Sequence, residues 1–323
     1  MHRLLSGALS VDAHTIPIRD LPKRLNGTVI VQLSDFHFDG LRLSDRLLAQ
    51  TIAKIEAIQP DLIALTGDFV TDAPQPIHEL VRRIKALPSR YGTIAVLGNH
   101  DISVRGARTM VTQALEQGNI PVLWNQIATP FGADFPVVGF ADLWSGEFDV
   151  SVLEQLSPAV PRLVLSHNPD TAKNLSEHRV DLQLSGHTHG GQVYLPGLGT
   201  APQVWQRIRH RVPKIIRNRI PFLSDRCFHV IRHWEWCRGL HRVGDNWLYV
   251  NRGLGTYFPG RFMCNPELTV ITLVRDPQTN KVPLAITPTT LPSLGKRTRQ
   301  PRYPLLQELS MRGSLSTAVK PRV

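Results

Sequence analysis

Between residues 28 and 117, the spacing of apolar and polar residues predicts a strand followed by a helix three times over. Three apolar runs of four to six residues have the length of buried strands. After the first run, Leu48, Ile52 and Ile55 recur at helical spacing and define one apolar face. The predicted strands are Thr28–Leu33, Leu62–Leu65 and Ile94–Leu97, and the predicted helices are Ser44–Ile58, Ile77–Leu87 and Arg105–Gln117.

A second set of apolar runs of strand length begins after residue 135. Two sheets that pack face to face, with helices outside, account for this number of strands. The sequence therefore predicts an α/β fold, a four-layer α-β-β-α sandwich. The predicted strands of the second set are Pro136–Phe140, Leu163–Leu165, Leu182–Leu184, Val193–Leu195, Trp247–Asn251 and Leu268–Val274.

The pattern divides the chain into three parts. Residues 1–27 form an N-terminal lead-in with one predicted edge strand, His14–Ile18. The predicted domain covers residues 28–285, and a basic amphipathic insertion interrupts it at about 197–246. Residues 286–323 are basic and lack hydrophobic periodicity, which predicts a disordered tail.

Composition narrows the class of protein. The chain has 323 residues, 42% of them hydrophobic, which is enough to bury a sizeable core. Its three cysteines are too few and too irregularly spaced for a disulfide framework, and a reducing compartment follows as the default. No apolar run reaches the roughly 18 residues of a membrane span. These features predict a cytoplasmic protein.

Positive charge is concentrated in two places. The net charge is +11, and residues 206–242 contain ten Lys and Arg against two acidic residues. Within the insertion, Trp205, Ile208 and Val212 recur at helical spacing between arginines. Such segments lie at anionic membrane surfaces, apolar face inward. The alternative is a lid whose apolar residues pack on the core, and the sequence leaves both interpretations open.

Polar side chains suited to catalysis follow five of the predicted strands directly. Carboxylates, imidazoles and one amide thus meet at the carboxyl edge of the predicted sheets, where α/β folds place their sites. The five segments are Ser34-Asp35-Phe36-His37, Thr66-Gly67-Asp68, Leu97-Gly98-Asn99-His100-Asp101, Leu165-Ser166-His167 and Ser185-Gly186-His187-Thr188-His189-Gly190-Gly191-Gln192.

The local pattern gives two geometric expectations. In a strand-like stretch residues i and i+2 point the same way, so Asp35 and His37 should share a face, as should His187 and His189. The glycines of these segments, Gly67, Gly98 and Gly186, are expected where the backbone turns sharply.

At these segments the chain resembles the calcineurin-like metallophosphoesterase superfamily, whose signature is DxH, GD, GNHD, H and GHxH in this order. The resemblance covers roughly residues 28–195, and every signature position matches. The GHTHGGQ segment and Asn251-Arg252-Gly253-Leu254-Gly255 are similar to a bacterial branch. That branch includes membrane-associated phosphodiesterases and a UDP-2,3-diacylglucosamine pyrophosphatase.

The resemblance implies two divalent metal ions, which activate a hydroxide for attack on a phosphoester. Oxygen and imidazole ligands without thiolate suit Mn, Fe or Zn. By resemblance Asp68 bridges the two metals. The other implied ligands are Asp35, His37 and His189 for one metal, and Asn99, His167 and His187 for the other.

Three further residues receive expected roles. The resemblance implies that His100 acts as general acid or hydrogen-bond donor in the transition state, and that Asp101 orients it. Arg252, which follows a strand, is a candidate phosphate contact.

Three functions remain open. The first is a peripheral membrane phosphodiesterase or pyrophosphatase that acts on a lipid-linked phosphoester. The second is a nuclease or nucleotide phosphodiesterase, since nucleic acid also requires basic surfaces; against it stand the apolar insertion and the absence of a nucleic-acid-binding motif. The third is a binding protein without catalysis, which the intact signature disfavours. The sequence leaves the substrate and the oligomeric state undetermined.

Overall fold

The computed structural model describes residues 6–212 and 230–276. The predicted disordered tail and the middle of the predicted insertion, including Lys214, Ile215 and Arg217, lie outside the described residues. Within the described ranges, no helix is both long enough and apolar enough to cross a bilayer.

One sheet contains five strands in the order β1-β13-β2-β3-β4. Strands β2, β3 and β4 are parallel, β13 runs antiparallel to β2, and β1 pairs in parallel with β13 at the edge. The strands are β1 (Ser10–Ile18), β2 (Val29–Leu33), β3 (Leu62–Thr66), β4 (Thr93–Val96) and β13 (Glu267–Arg275).

The other large sheet contains six strands in the order β11-β12-β8-β7-β6-β5. Its four central strands are parallel, and β5 and β11 close the two edges in the antiparallel direction. The strands are β5 (Gln126–Ala128), β6 (Val137–Gly139), β7 (Leu163–Leu165), β8 (Leu182–Ser185), β11 (Gly239–Val243) and β12 (Asn246–Val250).

Three helices cover the outer face of the first sheet. The first of them begins after Ser44, whose hydroxyl accepts the backbone N–H of Leu47 at 3.2 Å and caps the helix where the sequence predicted its start. The helices are α1 (Asp45–Ile58), α2 (Ile77–Ile84) and α3 (Ala107–Gln117).

Alternate side chains of the strands enter two different cores. In β2, Val31 and Leu33 face the helices, whereas Ile30 enters the layer between the two sheets together with Leu163 and Leu182 of the second sheet. The outer face of the second sheet is covered by the short helix α4 (Thr171–Asn174) and a 3₁₀ helix at Val150–Gln155. The predicted four-layer α/β sandwich is confirmed, with a thin fourth layer.

Three elements differ from the predictions. The last predicted strand, placed in the second set, lies in the first sheet as β13, between β1 and β2. The strand predicted at Val193–Leu195 belongs to neither large sheet: β9 (Tyr194–Leu195) and β10 (Gly199–Thr200) form a two-stranded ribbon. Strand β11, inside the predicted insertion, closes an edge of the second sheet. The pattern of a strand shows whether it is buried but not which strand it pairs with. Assigning strands to sheets by their order in the chain therefore failed for these elements.

The described part of the predicted insertion contains the α-helix α5 (Ala201–Arg211) and a 3₁₀ helix at Trp234–Trp236. Ile208 on this helix is 44% exposed, whereas Ile231 and Trp234 are buried. The insertion therefore combines residues that pack on the protein with residues that face solvent.

Candidate metal centre

The two sheets bring the five predicted segments to one place. Strands β2, β3, β4, β7 and β8 end immediately before them, and the carboxyl ends of these strands meet along one edge of the sandwich. All seven predicted metal ligands are buried. The structure therefore assembles side chains that are up to 154 residues apart, from Asp35 to His189.

Asp35, His37 and His189 form one cluster of ligand atoms. The Nε2 atoms of His37 and His189 lie 3.0 Å apart. The Nε2 atom of His189 lies 3.4 Å from Oδ1 of Asp35, and that of His37 lies 4.0 Å from it.

Asp68, His167 and His187 form a second cluster. The Nε2 atom of His167 lies 3.2 Å from Oδ2 of Asp68 and 3.2 Å from Nδ1 of His187. The same Oδ2 atom of Asp68 lies 3.5 Å from Nε2 of His37 in the first cluster. One carboxylate oxygen of Asp68 thus lies between the two clusters.

Three of the histidines are fixed by hydrogen bonds on the side of the ring away from the clusters. A carbonyl oxygen can only accept, so the outer ring nitrogen carries the proton and the inner one presents a lone pair in the neutral imidazole. Histidines that bind metals are oriented in this way. The bonds join Nδ1 of His167 to the carbonyl of Thr66 (2.6 Å), Nε2 of His187 to that of Val230 (2.8 Å) and Nδ1 of His189 to that of Gly255 (3.1 Å).

The protonation states of several cluster residues also favour the binding of a cation. Burial lowers the pKa of His187 and of His189 to about 3, so both imidazoles are neutral at pH 7. Burial raises the pKa of Asp68, but the neighbouring imidazoles of His167, His100 and His37 together outweigh burial and hold that pKa well below its ordinary value. The Oδ1 atom of Asn99 is buried and has no hydrogen-bond partner among the described residues. Convergent lone pairs, an anionic carboxylate and a free amide oxygen fit divalent cations.

The backbone holds these side chains in an uncommon conformation. Asp35, His37, Asp68, His187 and His189 all have φ between 44° and 74°. The left-handed region costs a residue other than glycine of the order of 1–3 kcal/mol. The expectation that Asp35/His37 and His187/His189 are paired by strand alternation is therefore wrong. Left-handed turns after the strands aim these side chains.

The three glycines serve two different needs. Gly67 turns the backbone as expected, with φ of 89°. Gly98 and Gly186 are not left-handed; they permit close approach instead. A Cβ at Gly98 would lie 2.2 Å from Oδ1 of Asp68, and a Cβ at Gly186 would lie 1.9 Å from Oγ of Ser34.

The carboxylate of Asp101 faces backbone amides, whereas the expected role was to orient the ring of His100. Its carboxylate accepts four backbone N–H groups, at 2.8–3.2 Å, and the structure shows no bond from it to the ring of His100. Buried amides require acceptors, and Asp101 supplies them to the loop that carries Asp68. Asp101 therefore joins two ligand loops. The donors are the backbone N–H groups of Asp68, Phe69, Val70 and Gly98.

His100 lies beside both clusters. Its backbone N–H donates to Oδ1 of Asp68 at 2.9 Å, and its ring meets the ring of His37 edge-on, with centroids 4.9 Å apart. The Nδ1 atom lies 3.4 Å from the carbonyl oxygen of Thr71. The ring is less buried than the predicted ligands.

The structure does not support the interpretation of Arg252 as a phosphate contact. Its guanidinium forms ion pairs with Glu267 at 2.8 Å and Asp12 at 2.9 Å. Two carboxylates against one arginine leave no surplus positive charge for a phosphate. Arg252 instead joins the loop after β12 to strands β13 and β1.

Tyr257 is a contact that the sequence analysis missed. Its hydroxyl lies 3.0 Å from Nδ1 of His37, and its ring meets the rings of His37 and His189 at centroid distances of 4.9 and 5.2 Å. The guanidinium of Arg42 lies over the ring of Tyr257, 4.6 Å from its centroid. No local motif marks this tyrosine, because it follows the NRGLG segment without a characteristic spacing.

The second missed feature is a strap, defined as residues 230–237, which crosses from the insertion to the site. The carbonyl of Val230 accepts the outer N–H of His187. The buried carboxylate of Asp170 accepts the backbone N–H groups of Arg232 and His233 at 2.6 and 3.0 Å. The strap is thus bound both to one predicted ligand and to a buried carboxylate.

We expect Asp170→Asn to destabilise the protein. Asparagine has one side-chain acceptor oxygen, so either the N–H of Arg232 or that of His233 loses its partner. A hydrogen bond to a charged group contributes about 1.5–3 kcal/mol to the unfolding free energy, and denaturant titration measures its loss. Asp149→Asn is the matched control, because that exposed aspartate caps a single N–H of Ser151 and asparagine can replace it. Equal stability of both variants would contradict the role of Asp170.

The fold and the convergent ligand clusters define a class, the metal-dependent phosphoester hydrolases. The family model described as "Calcineurin-like phosphoesterase" matches residues 28–191, and the chain belongs to this family. The predicted family and hydrolase class are thereby confirmed.

Three relatives cover most of the chain. It is 33% identical to the metallophosphoesterase YkuE of Bacillus subtilis, over 80% of this chain and 84% of the relative. It is 31% identical to the phosphodiesterase YaeI of Escherichia coli, with coverage of 76% and 82%. It is 29% identical to the UDP-2,3-diacylglucosamine pyrophosphatase LpxG of Chlamydia trachomatis, with coverage of 80% and 88%.

Proposed function

We propose that this chain is a dinuclear phosphodiesterase or pyrophosphatase that hydrolyses a lipid-linked phosphoester at a membrane surface. The observation that carries the dinuclear assignment is the position of Asp68. One of its carboxylate oxygens lies within 3.5 Å of imidazole nitrogens from both ligand clusters. A carboxylate shared by two metals is the arrangement that two-metal hydrolysis requires.

We assign the residues that would hold the metals from the two clusters of ligand atoms and from the family signature. When bound, the metals activate a water molecule and neutralise charge on the phosphoryl oxygens. The protein keeps the ligand set in place through the outer hydrogen bonds of the imidazoles and through the Asp101 amide bonds. One metal would be held by Asp35, His37, His189 and Asp68, and the other by Asn99, His167, His187 and the same Asp68.

His100 is assigned to the reacting phosphoryl group. Its ring stands beside His37 and Asp68, and it is less buried than the ligands. A protonated imidazole in this position can donate a proton to the leaving oxygen, and a neutral one can donate a hydrogen bond to it. The carbonyl of Thr71, not the carboxylate of Asp101, faces its Nδ1 atom.

The lipid-linked substrate rests on two supports. The relative from Chlamydia trachomatis is named for action on UDP-2,3-diacylglucosamine, a nucleotide carrying acyl chains. The chain also carries a net charge of +11, which favours an anionic partner. A screen of bis-p-nitrophenyl phosphate, UDP-diacylglucosamine and single-stranded DNA with added Mn²⁺ tests the proposal. Faster hydrolysis of DNA than of the UDP-lipid would favour the nuclease alternative.

We expect the basic insertion to bind anionic lipid. Replacement of Arg207, Arg211, Lys214 and Arg217 by Glu should release the protein from anionic liposomes in a sedimentation assay. Each basic residue near such a surface contributes about 1 kcal/mol of binding free energy. Lys214 and Arg217 lie outside the described residues.

Two controls accompany the charge-reversal variant. Hydrolysis of soluble bis-p-nitrophenyl phosphate should persist, because the four positions contain no proposed ligand. Wild-type binding should weaken steeply as salt rises, since the screening length is about 10 Å at 0.1 M. Unchanged sedimentation of the variant would show that the insertion does not attach the protein to lipid.

A further inference from the structure

The loop of residues 256–264, here called the apolar loop, exposes large hydrophobic side chains beside the metal centre. Phe258 is 92% exposed, Met263 59% and Phe262 55%. Single exposed hydrophobic residues are ordinary, but three within six consecutive residues form a patch. The loop also contains Tyr257, whose hydroxyl contacts His37. The patch therefore lies directly next to the site.

Arg261 holds the apolar loop in a defined conformation. Its guanidinium points inward and donates to the carbonyl oxygens of Arg252, Gly253 and Gly255 at 2.6–3.1 Å. It also donates to the hydroxyl of Thr256 at 3.1 Å. A further bond runs to the carbonyl of Cys264 at 3.2 Å, so this one arginine joins both ends of the loop to the segment after β12. The exposed side chains on either side of it are displayed by a fixed backbone.

The apolar loop is joined to the ribbon that precedes helix α5. The N–H of Phe262 donates to the carbonyl of Gln192, and its carbonyl accepts the N–H of Tyr194, each at 2.9 Å. The side-chain oxygen of Gln192 accepts the N–H of Tyr257 at 2.7 Å. The loop, the ribbon and the GHTHGGQ segment therefore form one continuous surface.

Cations flank this surface. The guanidinium of Arg238 stacks 3.9 Å over the ring of Tyr194 in the ribbon. Arg207 of helix α5 donates to the carbonyl of Leu198 at the tip of the ribbon, at 2.7 Å. Leu198 itself is exposed. Apolar side chains bordered by arginines are complementary to an anionic bilayer, in which phosphates lie above acyl chains.

We propose that Phe258, Phe262 and Met263 insert into the interface of an anionic phospholipid bilayer and place the metal centre at the lipid surface. The three inserted side chains lie outside the predicted insertion, and Arg207 and Arg238 of the insertion border them. The membrane contact itself does not depend on the proposed function; the inference rests on that function only where it concerns a lipid-linked substrate. A substrate anchored by acyl chains would then present its phosphoester to the site without leaving the bilayer.

Vesicle flotation of the full chain tests the contact, with vesicles of equal phosphatidylglycerol and phosphatidylcholine. The test variant combines Phe258→Ser, Phe262→Ser and Met263→Asn. Asparagine is chosen at Met263 because φ there is 50°, a conformation that asparagine adopts readily. The variant should bind at least about ten-fold more weakly than wild type, since it loses three apolar side chains. The control Val11→Thr with Val104→Ser changes exposed apolar residues elsewhere and should bind like wild type.

Activity measurements separate this inference from the proposed function. The triple variant should hydrolyse soluble bis-p-nitrophenyl phosphate at the wild-type rate and lose activity on UDP-diacylglucosamine in vesicles. Vesicle binding within two-fold of wild type would overturn the inference, as would dimerisation through the loop in the absence of lipid. Failure of the wild-type protein to hydrolyse either phosphoester, with loop-dependent binding retained, would overturn the proposed function alone.

Discussion

Asp68→Ala should remove both metal ions from the protein and abolish phosphoester hydrolysis. The reason is that Oδ2 of Asp68 lies within 3.5 Å of imidazole nitrogens in both clusters, so its loss leaves each metal without a shared anionic ligand. His187→Ala removes a ligand from only the second cluster and should lower metal content less, while also abolishing activity. Elemental analysis of the purified variants measures the metal content per chain.

Two further variants distinguish the loss of metal ligands from misfolding of the protein. Asp68→Asn keeps the shape of the side chain and tolerates the left-handed backbone at this position, where φ is 57°. It should therefore fold like wild type but bind metal more weakly, because the charge is lost. Asp45→Ala removes an exposed carboxylate far from the clusters and should leave metal content unchanged. Wild-type metal content in both Asp68 variants would overturn the assignment of the bridge.

His100→Ala should reduce turnover by about 10²–10⁴-fold, the usual contribution of a positioned proton donor. Metal content should remain at the wild-type level, because the imidazole is assigned to the phosphoryl group and not to a metal. Steady-state kinetics and elemental analysis of the same preparation give both quantities. His78→Ala, which removes an exposed histidine, is the matched control.

The leaving group distinguishes proton donation from a purely structural effect of His100. A p-nitrophenolate leaving group needs little protonation, so the variant should lose less activity with bis-p-nitrophenyl phosphate than with an alkyl phosphodiester. An equal loss with both substrates would contradict the role as proton donor. Metal loss comparable to that of His187→Ala would instead identify His100 as a ligand.

The strap and the apolar loop connect the site to the surface on two sides. The strap reaches His187 through the carbonyl of Val230, and the apolar loop reaches His37 through the hydroxyl of Tyr257. Each connection ends on the outer nitrogen of a proposed ligand. The position of a metal-binding histidine depends on such outer contacts. We therefore expect a change at Tyr257 itself, but not at the exposed side chains of the apolar loop, to affect metal affinity.

The motifs and the hydrophobic periodicity could be predicted from the sequence because both depend on residues that are neighbours in the chain. A helix needs apolar residues at helical spacing and a cap, and Ser44 provided the cap for α1. The family was likewise evident, since its signature consists of short segments with fixed internal spacing. Contacts between distant segments have no such local trace. For this reason the sequence did not predict that Asp101 faces four backbone amides or that Arg252 faces Glu267 and Asp12.

The sequence by itself determined the α/β class, the strand ends that carry the polar side chains, and the family. These properties arise from hydrophobic spacing and from residues adjacent along the chain. Only the tertiary structure decided that β13 lies in the first sheet and that left-handed turns aim the five ligands. It alone brought Val230 and Tyr257 to the imidazoles. Strand pairing and hydrogen bonds between distant loops depend on the packing of the whole domain, in which the best available partner need not be near in sequence.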